Sequence, residues 1–289
     1  MIGGVVMDVE LIAKKMRQDI FKMACRANGG HIAPSFSMAD IVAELYFDGI
    51  LQYSPEKPKD KNRDFFILSK GHGVLALYSA LSLAGFFSRE KLDTFCHFGS
   101  ELGSLAKKDS VPGIEATTGS LGHGFSYGVG IALANKIDNR SNHVYVLVGD
   151  GECEEGSIWE AAMSAVHHQL DNLTLIIDNN KLQAMDSVDN IMSIRNFTNK
   201  FSAFGFDCEE IDGHNYAEIK RALLRRRSGR PRAVIANTIK GKGISFMENV
   251  AIWHYRIPNE EEMKIALQEL DLREEDLGHY EKCVFRNVI

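Results

Sequence analysis

The sequence predicts an α/β fold, in which a parallel sheet is covered by helices on both faces. Short apolar stretches typical of buried strands alternate along the chain with longer stretches of helical periodicity. Such alternation indicates a parallel sheet, because parallel strands are joined by crossover helices. The 289 residues contain no internal repeat and no linker of biased composition. We therefore expect a single domain over residues 1–289, with a short helical extension over about residues 259–289.

Two amphipathic helices are expected first. Apolar residues recur at helical spacing from Val9 to Asn28, with Asp8 as the candidate N-cap and Gly29 just past the end. The pattern returns after Ser37, which is the candidate N-cap of the second helix.

The later elements alternate between strands and helices. Strands are expected at residues 65–68, 144–148, 173–177, 206–211 and 233–238. Residues 99–122 are rich in Gly, Ser and Lys, and a loop of this length inside a domain is usually functional. In the helix that follows, Gly124, Gly128 and Gly130 lack side chains that would keep another backbone away.

Composition excludes several classes of protein. The net charge of −6 is too small to favour a nucleic-acid binder, and no apolar run reaches the length of a membrane span. The N-terminal residues do not resemble a signal peptide. Five widely spaced cysteines without a CxxC pair favour neither a disulfide framework nor a zinc site. We expect a cytoplasmic protein with no nucleic-acid or membrane partner.

Two strands end in oxygen-bearing side chains. One runs into Gly149-Asp150-Gly151, and the next runs into Asn179-Asn180. Residues 152–178 separate the two ends, and these 27 residues suffice for one helix and one strand. A right-handed crossover would therefore place Asp150 and Asn180 side by side at the carboxyl edge of the sheet.

These two side chains offer hard oxygen ligands, which suit Mg²⁺ or Ca²⁺. The flanking glycines would let main-chain N–H groups approach phosphate oxygens. The pattern thus indicates a diphosphate bridged by a metal, since the chain has neither GxGxxG after a strand nor GxxxxGK[ST]. Either strand end alone would be interpreted as an ordinary turn. The two ends together, at this separation, are a specific indication of a metal and diphosphate site.

The whole pattern resembles the transketolase family. GDG followed by 27 residues and NN is similar to the thiamine diphosphate motif of these enzymes. Further stretches resemble transketolase blocks in the same order, and they span roughly Asn28 to His254; they are GGHIAPSFSMADIVAELY, DFFILSKGHGVLALYSALS, PGIEATTGSLGHGFSYGVGIALA, GDGECEEGSIWEAA, DNNKLQ and KGKGISFMENVAIWH. The resemblance implies the diphosphate-binding domain of the family, called the PP-type domain.

The resemblance also implies a cofactor site. Asp150, Asn180 and the main-chain carbonyl of Leu182 match the ligands of the divalent metal, and Gly151 matches a residue that contacts the diphosphate of thiamine diphosphate. Gly119 and Leu121 match positions that line the thiazolium and aminopyrimidine rings.

Further residues match catalytic positions of the family. His72 matches a histidine that reaches the diphosphate and faces the substrate, while His31 and His254 match histidines of the substrate channel. Glu155 and Glu160 match a chain of carboxylates that links paired cofactor sites. Outside such matched blocks, a lone histidine is usually structural.

The implied reaction transfers a two-carbon ketol unit from a ketose to an aldose. In full-length transketolases a glutamate on a second domain activates the cofactor, and no stretch of this sequence resembles that domain. We therefore expect a separate subunit to supply the pyrimidine-binding domain, within an α2β2 heterotetramer that acts on small sugars or sugar phosphates. One alternative is a noncatalytic or regulatory paralogue that binds thiamine diphosphate. Another is the α-subunit of a 2-oxo acid dehydrogenase, which is less favoured because the motifs SKGHG and TTGSLG resemble those of transketolases.

One departure from the family concerns the substrate. Ala106 stands where transketolases usually carry the histidine of a Gly-His-Pro element, which contacts the first carbons of the sugar. Tyr255 and Arg256 follow His254, where a glycine is common. Losing a hydrogen-bond partner of a substrate hydroxyl typically removes about 1–3 kcal/mol of binding. We therefore hypothesise a ketose or aldose outside the pentose phosphate set.

Overall fold

The strands form a parallel sheet in the computed structural model, which describes residues 8–226 and 228–278. The strand order is β1-β2-β3-β5-β4. The strands are β1 (Phe65–Leu68), β2 (Val144–Gly149), β3 (Leu173–Asn179), β4 (Asp207–Asp212) and β5 (Arg232–Asn237). All five coincide with expected strands to within two residues at either end.

The connections contain helices, as the alternation predicts. Those before β2 are α1 (Val9–Arg26), α2 (Ile32–Ser37), α3 (Ala39–Phe47), α4 (Val74–Leu83) and α5 (His123–Ile137). Those after β2 are α6 (Gly156–His167), α7 (Val188–Ile191), α8 (Phe197–Phe204), α9 (Tyr216–Leu224) and α10 (Glu260–Glu269). No helix in the described ranges is both long enough and apolar enough to cross a bilayer.

The hydrophobic core lies on both faces of the sheet. Alternate residues of β2 point to opposite faces, so that Tyr145 and Leu147 join one buried cluster and Val146 joins the other. Helices α1, α3, α4 and α9 contribute to the first cluster, and α5, α6 and α8 to the second. Because both faces are covered, the central strands are apolar along most of their length.

The register of β2 and β3 confirms the expected meeting of the two strand ends. Gly149 pairs with Asp178 across the parallel ladder, so the chain leaves both strands at the same level. Asp150 and Asn180 therefore lie at one carboxyl edge of the sheet, both buried.

The expected N-caps have different outcomes. Asp8 caps α1 as expected, since its side chain accepts a hydrogen bond from Glu10 N at 3.0 Å. The assignment of Ser37 is wrong: Ser37 is the last residue of α2, and α3 begins after Met38 without a side-chain cap. The hydroxyl of Ser37 instead donates to Asp178 Oδ2 at 2.6 Å, a contact between distant residues that local sequence does not reveal.

The glycines of α5 differ from one another. A Cβ at Gly124 would lie 2.5 Å from Ser69 Oγ, and one at Gly128 would lie 2.4 Å from Val146 Cγ2. Nothing lies within 4 Å of the corresponding position at Gly130. Close approach to the sheet therefore explains the first two glycines and not the third.

The C-terminal extension begins as expected with a capped helix. Asn259 and Glu262 form a capping box at the start of α10. A 3-10 turn follows at Glu274–Leu277. The rest of the expected extension, residues 279–289, lies outside the described residues.

Candidate active site

A cavity of about 180 Å³ opens at the carboxyl edge of the sheet, beside the ends of β2 and β3. It is lined by most of the residues that the resemblance assigns to the cofactor, and also by His254 of the implied substrate channel. The cofactor residues in the lining are Asp150, Gly151, Asn180, Leu182, His72 and Leu121. The sheet brings together residues that are up to 182 positions apart in sequence, counted from His72 to His254.

Asp150 is a buried carboxylate without an ion-pair partner in the described part of the chain. Its Oδ1 accepts a hydrogen bond from Gly151 N at 2.8 Å, and its Oδ2 accepts one from Lys181 N. Burial, and then the nearby carboxylate of Asp178, raise the pKa of Asp150 to about 6. A carboxylate in this environment is stabilised by a bound cation.

The neighbouring oxygens complete a donor set for such a cation. Asn180 donates through Nδ2 to Asp178 Oδ2 at 3.3 Å. Its Oδ1 accepts a hydrogen bond from Leu182 N at 3.1 Å and keeps a second lone pair for a ligand. Leu182 lines the same cavity, and its main-chain carbonyl accepts a hydrogen bond from Lys240 Nζ at 3.1 Å. One carboxylate, one amide oxygen and one carbonyl suit Mg²⁺ or Ca²⁺, whose other ligands are commonly water and phosphate. The residues present therefore fit the metal of the implied cofactor.

Three histidines form a compact cluster at this cavity. The ring centroids of His31, His72 and His254 lie 5.5 Å, 5.2 Å and 5.2 Å apart in the three pairings. They come from the start of α2, from the turn after β1 and from a 3-10 turn over Ala251–Tyr255. His31 does not line the cavity itself but packs against the two histidines that do.

The imidazoles of this cluster are held neutral. Burial is the largest cause, and it is reinforced by the positive charges of Lys70 and Lys240. The pKa falls to about 4 for His31 and to about 3 for His254, and the pKa of His72 also lies well below its usual value. Neutral imidazoles keep a free nitrogen lone pair and an N–H donor near pH 7.

Lys240 is a cavity residue that the sequence did not single out. Its Nζ lies 2.9 Å from His254 Nδ1, 3.1 Å from Leu182 O and 2.7 Å from Gln183 O. An ammonium group only donates hydrogen bonds, so Nδ1 of His254 accepts and the imidazole proton resides on Nε2. Burial first, and Lys70 second, lower the pKa of Lys240 to about 8.

A buried ion pair supports the floor of the cavity. Lys70 and Asp178 are 1% and 0% exposed, and Lys70 Nζ also donates to Pro34 O at 3.0 Å. Asp178 accepts further hydrogen bonds from Ser37 and Thr238. Lys70 lies two residues before His72, and Asp178 lies two residues before Asn180. The ion pair therefore joins two segments of the chain that line the cavity.

Three further predicted site residues lie outside the cavity lining. Gly119 has φ +146°, and a Cβ there would lie 2.8 Å from Leu105 Cδ1. Glu155 is exposed and packs beside Gly122, while Glu160 is exposed on α6. The two glutamates thus lie on the surface of the described chain.

Two of the positions that depart from the family pattern lie in different surroundings. Ala106 is buried, at 2% exposure. Tyr255 is 58% exposed, and its ring centroid lies 4.7 Å from that of His31. Its hydroxyl also approaches Gly29, where a Cβ would lie 2.8 Å from Tyr255 Oη. Tyr255 therefore forms an outer wall beside the histidine cluster.

The chain is similar to known proteins over most of its length. The model of the transketolase thiamine diphosphate binding domain matches residues 10–276. A subunit of the apulose-4-phosphate transketolase of Phocaeicola vulgatus is 42% identical over 271 residues, which cover 93% of this chain and 96% of that protein. The 6-deoxy-6-sulfo-D-fructose transketolase subunit SqwG of a Clostridium species is 43% identical over 244 residues, 84% of this chain and 88% of that protein.

Solved structures give the same result for the fold. Transketolase from Campylobacter jejuni superposes with a TM-score of 0.84 at 31% identity. The superposition covers 95% of this chain and 44% of that enzyme, so the chain spans less than half of a full-length transketolase. The model of the thiamine diphosphate binding domain covers nearly the whole described chain. This protein therefore belongs to the transketolase family and carries the thiamine diphosphate binding domain of that family.

Proposed function

We propose that this chain is one subunit of a two-chain transketolase, which transfers a two-carbon ketol unit from a ketose to an aldose. The observation that carries the proposal is the single cavity that joins Asp150, Asn180 and Leu182 to His72 and His254. Similarity to individual subunits of other transketolases, over most of the length of those subunits, supports the division into two chains.

The metal would be held by Asp150, Asn180 and the carbonyl of Leu182. Gly151 would present its main chain to the diphosphate, beside the positive charge of Lys240. His72, which lines the same cavity, would stand between the diphosphate and the sugar. Gly119 and Leu121 lie on the loop before α5, and we assign them to the thiazolium and aminopyrimidine rings.

Bound thiamine diphosphate supplies the carbon nucleophile that carries the ketol unit. The chain's own contribution is to hold protons at defined atoms. His254 would donate from Nε2 to an oxygen of the sugar, because Lys240 occupies its Nδ1. His31, which is neutral near pH 7, would accept or return a proton of a substrate hydroxyl.

The partner would be a separate polypeptide with the pyrimidine-binding domain, and we propose an α2β2 assembly. The exposed carboxylates of Glu155 and Glu160 are then available to communicate between paired cofactor sites. We place the enzyme in the cytoplasm, in keeping with the free cysteines of the described chain.

The substrate is proposed to be a sugar outside the pentose phosphate set. Ala106 offers no hydrogen-bond donor where a histidine is usual, and Tyr255 adds a phenol beside His31. Two similar proteins are named for unusual substrates, apulose 4-phosphate and 6-deoxy-6-sulfo-D-fructose. Turnover of xylulose 5-phosphate with ribose 5-phosphate at rates ordinary for transketolases would contradict this part of the proposal.

The test of the function is a reconstitution. The purified chain is mixed with the candidate companion subunit, thiamine diphosphate and Mg²⁺, and ketol transfer is measured over a panel of ketoses and aldoses. We expect transfer in the mixture and none with either chain alone. Cofactor binding without transfer on any sugar would favour a noncatalytic paralogue, and oxidative decarboxylation of a 2-oxo acid would favour the dehydrogenase alternative.

A further inference from the structure

We infer that Glu152 is a positioning residue, which fixes the shape of the cofactor cavity by bonding three separate segments of the chain. Glu152 lies two residues after Asp150 and is only 2% exposed. It also lines the cavity. Neither the metal set nor the histidine cluster makes use of it, yet a carboxylate is seldom buried without a specific set of hydrogen-bond donors.

Both oxygens of this carboxylate are engaged. Oε1 accepts hydrogen bonds from Gly122 N at 2.8 Å and from the hydroxyl of Ser69. Oε2 accepts one from Gly149 N at 3.0 Å. No ion pair of Glu152 occurs among residues 8–226 and 228–278. Its polar contacts are therefore made with neutral donors, each in a different segment of the chain.

Each donor adjoins a residue of the proposed cofactor site. Ser69 begins the turn that carries His72, Gly122 follows Leu121, and Gly149 precedes Asp150. The first donor lies in the turn after β1, the second in the loop before α5 and the third at the last residue of β2. Main-chain hydrogen bonds from Ser69 N and Lys70 N to Leu147 O also join the first segment to β2. Among the described side chains, only that of Glu152 bonds all three segments, and it ties Gly122 to the other two.

The chemistry of the position requires a carboxylate. Two main-chain N–H groups and a hydroxyl converge on it, and a carboxylate offers acceptors on both oxygens and no donor. Glutamine has one oxygen, so its amide group would place N–H donors against either Gly149 N or Gly122 N. The variant Glu152→Gln thus keeps the volume of the side chain while it breaks one of the three connections.

A binding measurement tests the inference, which rests on the proposed cofactor site. Thiamine diphosphate with Mg²⁺ is titrated calorimetrically into wild type and Glu152→Gln, at a temperature where both are folded. We expect Kd to rise at least about tenfold, as for other residues that orient ligand groups. The matched control is Asp207→Asn, which removes the negative charge of a buried carboxylate that lies 2.7 Å from Arg232 Nη1, at the opposite, amino end of the sheet. This control should lose stability and keep its Kd.

A second measurement needs no cofactor, and it therefore separates failure of this inference from failure of the proposed function. Amide hydrogen exchange is followed at Gly122 and Gly149 in the cofactor-free chain. Glu152→Gln should accelerate exchange at one or both amides at least about tenfold, while Asp207→Asn leaves them unchanged. Unchanged exchange at both amides in Glu152→Gln, or a Kd within about twofold of a measurable wild-type value, would overturn the inference.

Discussion

Replacing Lys70 by methionine should destabilise the fold strongly. The change removes the cation of a fully buried pair and leaves Asp178 charged, at 0% exposure, with only neutral donors. Breaking a buried ion pair from one side costs about 3–5 kcal/mol. Because Asp178 keeps the hydrogen bonds from Ser37, Thr238 and Asn180, we expect a loss of unfolding free energy at the lower end of this range, about 3 kcal/mol.

The assay is urea denaturation, in which Lys70→Met should lower the midpoint at an unchanged m-value. The double variant Lys70→Met with Asp178→Asn should recover part of the loss, since no buried charge then lacks a partner. Lys59→Met is the surface control: Lys59 and Asp109 are 85% and 60% exposed and lie 3.6 Å apart. That control should change stability by less than about 1 kcal/mol. A loss below about 1 kcal/mol for Lys70→Met would refute the role given to the pair.

Gly128→Val should cost about 1–3 kcal/mol of unfolding free energy in urea, because a Cβ there already lies 2.4 Å from Val146 Cγ2. Gly130→Ala, in open space, should instead gain up to about 1 kcal/mol, and equal effects at the two positions would contradict this packing. Asp40→Asn should cost about 3 kcal/mol at pH 7. Burial alone would raise the pKa of Asp40, but hydrogen bonds from His214 and Arg17 hold it well below its usual value. The stabilisation by the ionised Asp40 is therefore present above the unfolded pKa of about 3.9 and is lost as the pH falls. The difference in unfolding free energy between wild type and Asp40→Asn should shrink below about pH 4, and a difference that stays constant with pH would contradict this role of Asp40.

The sheet and the meeting of Asp150 and Asn180 at its carboxyl edge could be predicted from the sequence, because both follow from local patterns and one rule of chain geometry. Strand periodicity located β2 and β3, and right-handed crossover set their ends side by side. The histidines at 31, 72 and 254 could be recognised only through family resemblance. Nothing in their spacing indicates that three rings from distant segments meet within 5.5 Å.

The residues that support the site could not be predicted in this way. Lys70, Glu152 and Lys240 are charged, and a charged residue in a sequence is usually read as exposed. Their burial depends on partners that lie far away along the chain, such as Asp178 for Lys70. Ser37 shows the same limit: its hydroxyl was expected to cap a helix but bonds Asp178, 141 residues away.

The central claim is that Asp150 and Asn180 hold one divalent metal, which in turn holds the diphosphate. Calorimetric titration of thiamine diphosphate into the chain, alone and with its companion subunit, tests this most directly. The account predicts binding that requires Mg²⁺ or Ca²⁺ and weakens at least about 100-fold in Asp150→Asn, because the single carboxylate of the donor set is lost. Metal-independent binding, or equal affinity in wild type and Asp150→Asn, would contradict it.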